Sequence, residues 1–574
     1  MERTYRFGDY TLEVQAHCLR RAGHQIHLRP KAFETLLYLI ERRDCVVKKG
    51  ELLDALWPDI IVTENTLSQC IDAIRKALGD SAREPDFIQT IPRIGFKFIA
   101  EIIALDSDAV DSAQDEHNSI AVLPFINLND DPEQEYFADG MTETLIAELA
   151  KIKALPVISR TSAMHYKKTD KPLSQIAQEL NVDLIIEGSV LRTGGRVRII
   201  AQLIQARTDR HLWSGTYERD LQDILSLQSD MARAIAGEVQ VKITPHESKS
   251  RLAHYPVEPT ALDAYLKGRY FLSRRTREAL EKSLTWFNLA SQLKPDYPEA
   301  YAGIAEAQII LCLMGEQAGA KGMPRAAAMA GQALKLDSTL AEAHTALAYV
   351  KMHYEWDWPG AEKEFKQALD LKPNDATAHH FYAMFLISQT RFNEALREME
   401  CALKLDPLSP IINTHHAWLY YAQRSYDQAI VRFQHVIKLT PRFFFAHYWL
   451  GMVYLQKSMV EKAEASFERA ASIWPDNPRV LAWKGFARAS AGKTDEALDI
   501  LNRLIQLSEE RYVPGYGIAM IYLGLGDRER LFMWLEKACQ EHEAMMVMLK
   551  MPIYDSVRSD PRFLRLLDKV GLKP

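Results

Sequence analysis

Paired cysteines and long apolar runs are missing from this 574-residue chain. Its cysteines form no CxxC motif and no metal-ligand spacing, so we expect reduced thiols rather than a disulfide framework or a zinc site. No window approaches the roughly 18 consecutive apolar residues of a membrane span, and MERTYRFGDY lacks the apolar core of a signal peptide. We therefore predict a cytoplasmic protein without a membrane partner. The six cysteines are Cys18, Cys45, Cys70, Cys312, Cys401 and Cys539.

Catalytic motifs are missing as well. The sequence has no GxSxG, HExxH or kinase signature, and the glycines of residues 188–195 are not followed by the lysine and helix of a phosphate-binding loop. Asp139 and Glu143 lie near a predicted helix start, where carboxylates complement the helix dipole. We predict no catalytic residues, no cofactor, no metal site and no enzymatic activity.

A strong excess of charge of either sign is also absent. The formal net charge is -6, so no global field favours nucleic acid or an anionic membrane, and any such surface must be local. Apolar residues make up 47% and charged residues 25% of the chain, which is typical of folded globular proteins. The length exceeds one domain several-fold, so a multidomain protein is expected.

Two shifts in composition divide the chain. Residues 106–118, DSDAVDSAQDEHN, are acidic and small, as in a solvated linker. Residues 244–259, TPHESKSRLAHYPVEP, contain three prolines and lose periodicity. We predict a first domain over 1–104, a linker over 105–117, a middle domain over 118–246, a helical array over 257–545 and a C-terminal capping segment over 546–574.

The last region carries an internal repeat. Prolines that close helical patterns recur every 34 residues, at Pro373, Pro407, Pro441 and Pro475. In the last of these units, Gly451 and Ala463 are small enough for paired helices to approach, while Tyr454 and Phe467 fill the seam. The pattern resembles the tetratricopeptide repeat. It predicts an all-α solenoid of seven or eight helix pairs over about 260–540, in which only the stack is stable.

The first region changes from strand-like to helical periodicity. TYRFGDYTLEV and HCLRRAGHQIHL predict antiparallel strands, and RPKAFETLLYLIERRD and KKGELLDALWPD predict two helices. A third helix is predicted in TENTLSQCIDAIRKALGD, followed by a hairpin in FIQTIPRIGFKFIA. Apolar side chains on one arc of the third helix must face the core. These are Leu67, Ile71, Ile74 and Leu78, and in the hairpin we expect Phe87, Ile91, Phe96 and Phe98 to be buried.

The opposite arc of the third helix carries amides, a carboxylate and an ammonium group, which can contact base edges in a major groove. Arg93 and Lys97 project from the hairpin beside this helix, where a duplex offers phosphates or a minor groove. The sequence therefore predicts a winged helix-turn-helix of the α+β class. The predicted DNA-binding residues are Asn65, Thr66, Gln69, Asp72, Ala73, Arg75, Lys76, Arg93 and Lys97.

Three segments in order, LRPKAFETLLYLIERRDCVVKKGELLDALWPD, the helix over 63–78 and GDSAREPDFIQTIPRIGFKF, resemble the winged-helix effector domain of the OmpR/PhoB type. The resemblance implies that the third helix enters the major groove of promoter DNA. It also implies a contact between the loop Trp57–Asn65 and RNA polymerase. Because the domain begins at the N-terminus, we expect a one-component regulator without a receiver domain. Acidic and basic residues nearly balance within 1–105, so tight binding should need a homodimer or tandem sites.

The middle region alternates strand and helix patterns. SIAVLPFINL and LPVISRTSA are predicted strands, EYFADGMTETLIAELAKI and LSQIAQELNVD are predicted helices, and a hairpin should turn at Gly194 and Gly195. This order predicts an α/β layer fold. Together with HLWSGTYERDL, it resembles the N-terminal part of TolB, which implies a fold and no activity.

These features favour a bacterial transcription regulator that acts in signal transduction. Its array would bind a protein or peptide in its groove and control DNA binding or activation. The alternative is a scaffold or adaptor that uses the winged helix for protein contacts, and a cyclase-linked enzyme is a third possibility without a visible catalytic segment. The pairs His379–His380 and His415–His416 should approach one another and line the groove, with metal binding as the alternative.

Overall fold

The chain is described here by a computed structural model in which two compact units, residues 1–117 and 118–574, each have their own core. The described residues are 4–8, 10–13, 18–21, 24–26, 28, 30–42, 46–56, 64–81, 85–91, 94–100, 103–105, 119–129, 131–239, 258–474 and 477–573. Among them, no helix combines the length and the apolar character needed to cross a bilayer.

An antiparallel sheet opens the first unit. The strands predicted in TYRFGDYTLEV and HCLRRAGHQIHL are present, and a later strand that the sequence patterns did not indicate joins them at the edge. The sheet order is β4-β3-β2-β1-β8, with β1 (Thr4–Phe7), β2 (Tyr10–Glu13), β3 (Cys18–Arg21), β4 (His24–Ile26) and β8 (Ile103–Leu105).

Three helices and a small sheet complete this unit. The helices are α1 (Pro30–Glu41), α2 (Lys49–Leu56) and α3 (Glu64–Leu78), and β6 (Ile88–Ile91) and β7 (Gly95–Phe98) form a hairpin that pairs with β5 (Val47–Lys48). All four apolar residues predicted to face the core from α3 are at most 2% exposed. They pack with α1 in a single apolar cluster, so the buried side of α3 is fixed against the core.

The hairpin buries a different set of residues from the predicted one. Phe96 and Phe98 are buried, but their partner is Ile88, which pairs with Phe98 across the two strands. Ile91 is half-buried on β6, and Phe87, which precedes that strand, is half-buried with its ring against Phe7 and Tyr10 of the core. The prediction of burial is therefore confirmed for Phe96 and Phe98, whereas Phe87 and Ile91 are only partly buried.

The middle region forms a mixed sheet with helices. β9 (Ile120–Val122) and β10 (Ile126–Asn127) run parallel to β11 (Leu184–Thr193), which continues antiparallel into β12 (Arg196–Gln205) and β13 (Arg210–Asp220). The predicted hairpin at Gly194 and Gly195 is present. The helices are α4 (Glu135–Ala150), α5 (Arg160–Met164), α6 (Leu173–Leu180) and α7 (Ile224–Glu238).

The prediction of a strand in LPVISRTSA is largely wrong. Only a single bridge between Val157 and Ile120 remains of it. The Ser159 side chain accepts a hydrogen bond from the Thr161 backbone N–H at 3.3 Å, and α5 starts at the next residue, Arg160. A serine cap, which favours a helix start, therefore prevails over the β-branched residues before it.

Eight helix pairs follow in the described residues, in agreement with the predicted solenoid. Gly451 shows why small residues recur, because a Cβ added there would lie 2.8 Å from the Phe467 ring. The pairs are Pro259–Leu272 with Arg277–Leu293, Pro298–Leu313 with Gly319–Leu336, Ala341–Val350 with Trp358–Leu371, Ala376–Ser388 with Phe392–Leu405, Pro410–Ala422 with Tyr426–Leu439, Phe444–Gln456 with Val460–Ile473, Pro478–Ser490 with Thr494–Glu510, and Gly515–Leu525 with Arg528–Gln540.

Three short elements follow the eighth pair: two 3-10 turns, Ala544–Met548 and Pro552–Val557, and the helix Pro561–Val570. That helix packs against the last helix of the array, with ion pairs from Lys569 to Glu536 and from Arg562 to Glu529. The segment also contacts pairs much earlier in the array, so it does more than the end-capping that the sequence suggested.

The middle region and the start of the array share one apolar core. Leu262, Leu266 and Tyr297 of the first two pairs belong to the same cluster as Phe137 and Met141 of α4. Two polar contacts reach further along the array. The Asp406 carboxylate accepts hydrogen bonds from the Ser162 backbone N–H at 3.1 Å and from its hydroxyl at 2.6 Å. The Asn374 amide donates to the Ile152 and Leu155 carbonyl oxygens.

Candidate DNA-binding surface

Helix α3 presents most of the predicted residues on one open face. Gln69, Asp72 and Lys76 are exposed, and Thr66 and Ala73 are half-buried beside them. These positions are three, four or seven residues apart, which places them on one side of a helix. Asn65 lies in the first turn of α3, but its side chain is outside the described part of the structure. The face therefore combines an amide, a carboxylate and an ammonium group over a fully packed back.

Arg75 does not belong to that face. Its side chain is buried, with 8% of the residue exposed, and its guanidinium donates to the Ile88 carbonyl oxygen and to the Thr90 hydroxyl, both at 2.8 Å. The prediction that Arg75 contacts DNA is corrected on this point, because the group that would reach a base or phosphate is bonded to the hairpin. Arg75 instead ties α3 to the strand β6.

Asp80, which the sequence reasoning missed, holds the other end of the same connection. Its carboxylate accepts hydrogen bonds from the backbone N–H groups of Asp86 at 2.7 Å, Phe87 at 3.3 Å and Ile88 at 2.9 Å. It also lies 4.0 Å from the Arg75 guanidinium. A charge-assisted hydrogen bond to a backbone N–H is stronger than a neutral one. Asp80 and Arg75 together set the position of the hairpin relative to α3.

The end of α3 is held from the sheet side as well. Gly79 has a φ of +65° that ends the helix, and the Tyr10 hydroxyl donates to the Leu78 carbonyl oxygen at 2.7 Å. The contact from Tyr10 has no signal in helical periodicity, because it joins positions 68 residues apart.

The hairpin places part of the predicted cationic edge. Lys97 is half-exposed on β7 and pairs with Gln89 across the hairpin. Ile94, at the turn, is 50% exposed. Arg93 and residues 57–63 of the loop Trp57–Asn65 lie outside the described residues, so their predicted contacts stay predictions. Of the two hairpin cations, Lys97 is therefore the one that the structure locates.

The histidine pairs of the array adopt two different arrangements. His380 and His415 meet as predicted, with Nε2 and Nδ1 2.6 Å apart, and burial lowers the pKa of His415 to about 4. His379 instead bonds to the Glu398 carboxylate at 2.6 Å and to the Pro373 carbonyl oxygen at 2.9 Å, which makes it a structural residue. Within the described ranges, no cluster of three or more histidine, cysteine or acidic side chains could hold a metal ion.

Carboxylates near the start of α4 are engaged in ion pairs. Asp139 accepts from Lys167 at 2.5 Å, and Glu143 lies 3.0 Å from Arg160 and also pairs with Arg269 of the first helix pair. Although burial alone would raise the pKa of Glu143, the two arginines lower it. These groups join the middle region to the array.

Three family models match successive parts of the chain. Residues 23–98 match "Transcriptional regulatory protein, C terminal", residues 116–234 match the second domain of HilA/YgeH-like transcriptional regulators, and residues 415–478 match the tetratricopeptide repeat. The first and third agree with the resemblances seen in the sequence. The resemblance of the middle region to TolB is not confirmed, since that region matches the HilA/YgeH-like domain.

Several curated relatives share parts of this architecture. Putative adenylate cyclase 3 of Rhizobium meliloti is 30% identical over 48% of this chain, which spans 41% of that relative's length. Transcriptional regulator HilA of Salmonella typhi is 23% identical over 69% of both chains. Transcriptional activator CadC of Escherichia coli is 29% identical over 17% of this chain and 19% of its own length.

Solved structures are similar over single regions. The DNA-binding domain of E. coli CadC is 27% identical, covers 18% of this chain and 96% of its own, and has a TM-score of 0.17. YrrB, a tetratricopeptide-repeat protein, is 23% identical, covers 33% of this chain and 93% of its own, and has a TM-score of 0.24. The chain thus consists of an OmpR/PhoB-type winged-helix domain, a HilA-like regulator domain and C-terminal tetratricopeptide repeats, and transcriptional regulators are among its homologues.

Proposed function

We propose that this chain is a sequence-specific DNA-binding regulator of transcription in a bacterium. The observation that carries the proposal is the face of α3, where Gln69, Asp72 and Lys76 are exposed over a fully buried back in a regulator-type winged helix. In the major groove an amide suits adenine, a cation suits guanine and a carboxylate can accept from the cytosine amino group. Base contacts would come from this face.

Phosphate contacts would come from the hairpin. Lys97 is half-exposed on β7 and follows Arg93 by four residues in the sequence. Because Arg75 and Asp80 fix β6 against the end of α3, the hairpin and the helix would meet a duplex as one surface. Such contacts set the orientation of a protein on DNA but carry no sequence information of their own.

The partners of this regulator follow from the same arrangement. We propose promoter DNA, a protein partner bound by the repeats that controls DNA binding or activation, and RNA polymerase at the loop Trp57–Asn65. Because acidic and basic residues nearly balance within residues 1–105, a homodimer on DNA would supply the phosphate contacts that tight binding needs. Because bacterial DNA lies in the cytoplasm, we propose the same location for this protein. The domain limits predicted from the sequence remain our proposal.

We also propose that the chain has no enzymatic activity. The three matched family models describe two regulator domains and a repeat. The relative named as a putative adenylate cyclase is matched over 41% of its length, which is compatible with a shared non-catalytic region. The competing proposal remains a scaffold whose winged helix binds protein, which the near balance of charges within residues 1–105 would allow.

Genome-wide DNA pull-down with the intact protein distinguishes a regulator from a scaffold. We expect discrete promoter fragments to be enriched, and the double substitution Gln69→Ala and Lys76→Ala to reduce that enrichment at least tenfold, since a good base contact contributes about 1–3 kcal/mol. Lys335→Ala, at an exposed lysine of the array, is the matched control. Equal recovery of all fragments by the intact protein and the double variant would favour the scaffold.

A further inference from the structure

The segment after the eighth helix pair crosses the array instead of ending beside it. Its first contacts are with the third pair, nearly two hundred residues earlier in the chain. The His353 ring lies 2.9 Å from the Ala544 carbonyl oxygen, and the His542 ring lies 2.6 Å from the Tyr354 carbonyl oxygen. At the far end of the segment, the Trp358 indole donates to the Val570 carbonyl oxygen at 2.8 Å.

Other pairs hold the middle of the segment. Arg424, in the turn of the fifth pair, donates to the Asp555 carboxylate from both terminal nitrogens of its guanidinium, one of them at 2.9 Å. Arg479 of the seventh pair donates to the Met545 sulfur at 2.8 Å. In the eighth pair, the Gly515 and Tyr516 backbone N–H groups donate to the Glu543 carboxylate at 2.6 Å and 3.0 Å.

The apolar side chains of this segment are buried as deeply as those of the array. Met546, Val547, Leu549, Tyr554 and Phe563 are each 0% exposed. All five belong to the cluster that runs through the pairs from the second to the eighth. Side chains of this kind leave water only against a surface that matches them, so the face beneath is apolar and complementary.

This pattern differs from that of a repeat. In a solenoid each unit contacts only its neighbours. Residues 541–572 contact the third, fifth, seventh and eighth pairs, and they are built from turns and one helix rather than from a helix pair. A chain that lies across several units of an array in this way occupies the position of a bound peptide.

We propose that residues 541–572 are the resident ligand of the face formed by the third to eighth pairs, so that an external protein partner of the repeats binds a different face of the array. The face recognises an apolar segment that carries a tyrosine and an aspartate, with Arg424 binding the aspartate and Trp358 the end of the segment. This inference revises the groove expected as the partner site from the sequence. It rests on the proposed function only for the existence of a partner.

Hydrogen–deuterium exchange on the intact chain tests whether the ligand is resident. We expect the amides of Met546, Leu549 and the helix Pro561–Val570 to exchange at rates within about tenfold of those in the helix Ala376–Ser388, as expected when both open in one cooperative unit. Exchange of the segment at the rate of an unfolded peptide, with the array still protected, would overturn the proposal.

Peptide binding in trans tests recognition. A labelled peptide of residues 541–574 should bind a chain ended after Gln540 saturably and one to one, and should not bind the intact chain. Asp555→Ala in the peptide should weaken binding about threefold to fivefold, as for loss of a half-exposed bidentate ion pair that contributes up to about 1 kcal/mol. Asp568→Ala, at an exposed position, should change it less than twofold.

Equal binding of the peptide to the intact and shortened chains would overturn the proposal, as would no binding to a shortened chain whose circular dichroism shows folded helices. If the shortened chain does not fold, the exchange experiment on the intact protein still decides. Neither experiment uses DNA, so a negative result leaves the proposed DNA binding untouched, and a failure of DNA binding leaves this proposal untouched.

Discussion

Replacing Arg75 by leucine should abolish specific duplex binding and lower the free energy of unfolding of the first unit by about 3–5 kcal/mol, as for removal of one partner from a buried charged contact. The Arg75 guanidinium is bonded to Ile88 and Thr90, and the Asp80 side chain beside it is fully buried. Without Arg75, that carboxylate keeps its backbone partners but loses its nearby cation. The hairpin would then lose its bonds from α3 to the Ile88 carbonyl oxygen and the Thr90 hydroxyl, and its position relative to α3 would no longer be fixed.

Two measurements separate this positioning role from a direct DNA contact. Thermal unfolding followed in the intact protein should show an earlier transition for Arg75→Leu only. Lys76→Leu, one residue along on the exposed face, should reduce DNA affinity without moving that transition. An Arg75→Leu protein with the stability of the original chain would contradict the assigned role, whatever its DNA affinity.

Replacing Asp406 by alanine should weaken the packing of the middle region against the array. We expect the free energy of unfolding to fall by about 2–4 kcal/mol, because two buried donors lose their acceptor. The donors are the Ser162 backbone N–H and hydroxyl, and Asp406 itself is 4% exposed. Burial raises the pKa of the Asp406 carboxyl even though these hydrogen bonds lower it. Asp406→Asn keeps one acceptor oxygen and should therefore lower the free energy of unfolding by less.

Hydrogen–deuterium exchange locates this loss. In Asp406→Ala, amides of α5 and of residues 405–409 should exchange faster, while those of the first helix pair keep their protection through the shared apolar core. Asp427→Ala removes an exposed ion pair to Lys457 and is the matched control, with an expected change below about 1 kcal/mol. Unchanged protection of these amides in Asp406→Ala would show that the contact between Asp406 and Ser162 is dispensable.

Periodic features of the sequence predicted the fold well. The apolar arc of α3 and the 34-residue spacing of the prolines both arise from burial against neighbouring elements, so they appear in the chain as regular patterns. Helical periodicity also gives a signal for the burial of Arg75. On a helical wheel Arg75 lies about 40° from Ile71, at the border of the buried arc. A long side chain at that border can turn inward.

Contacts between distant positions could not be predicted in this way. Asp80 binds amides six to eight residues ahead, and the C-terminal segment binds the third pair about two hundred residues back. Neither contact leaves a repeating trace in the sequence. The helix α5 was missed for a local reason, because the cap at Ser159 outweighs the strand propensity of the residues before it.

DNA binding by α3 is tested most directly by the affinity of the intact protein for its recovered promoter duplex across a salt series. We expect log Kd to rise linearly with log salt concentration, and Lys97→Ala to reduce the slope by about 1 if that lysine contacts a phosphate. Gln69→Ala should leave the slope unchanged and reduce discrimination between the promoter and a scrambled duplex by about 1–3 kcal/mol. Absence of binding to every fragment at low ionic strength, or full discrimination retained by Gln69→Ala together with Lys76→Ala, would contradict the account.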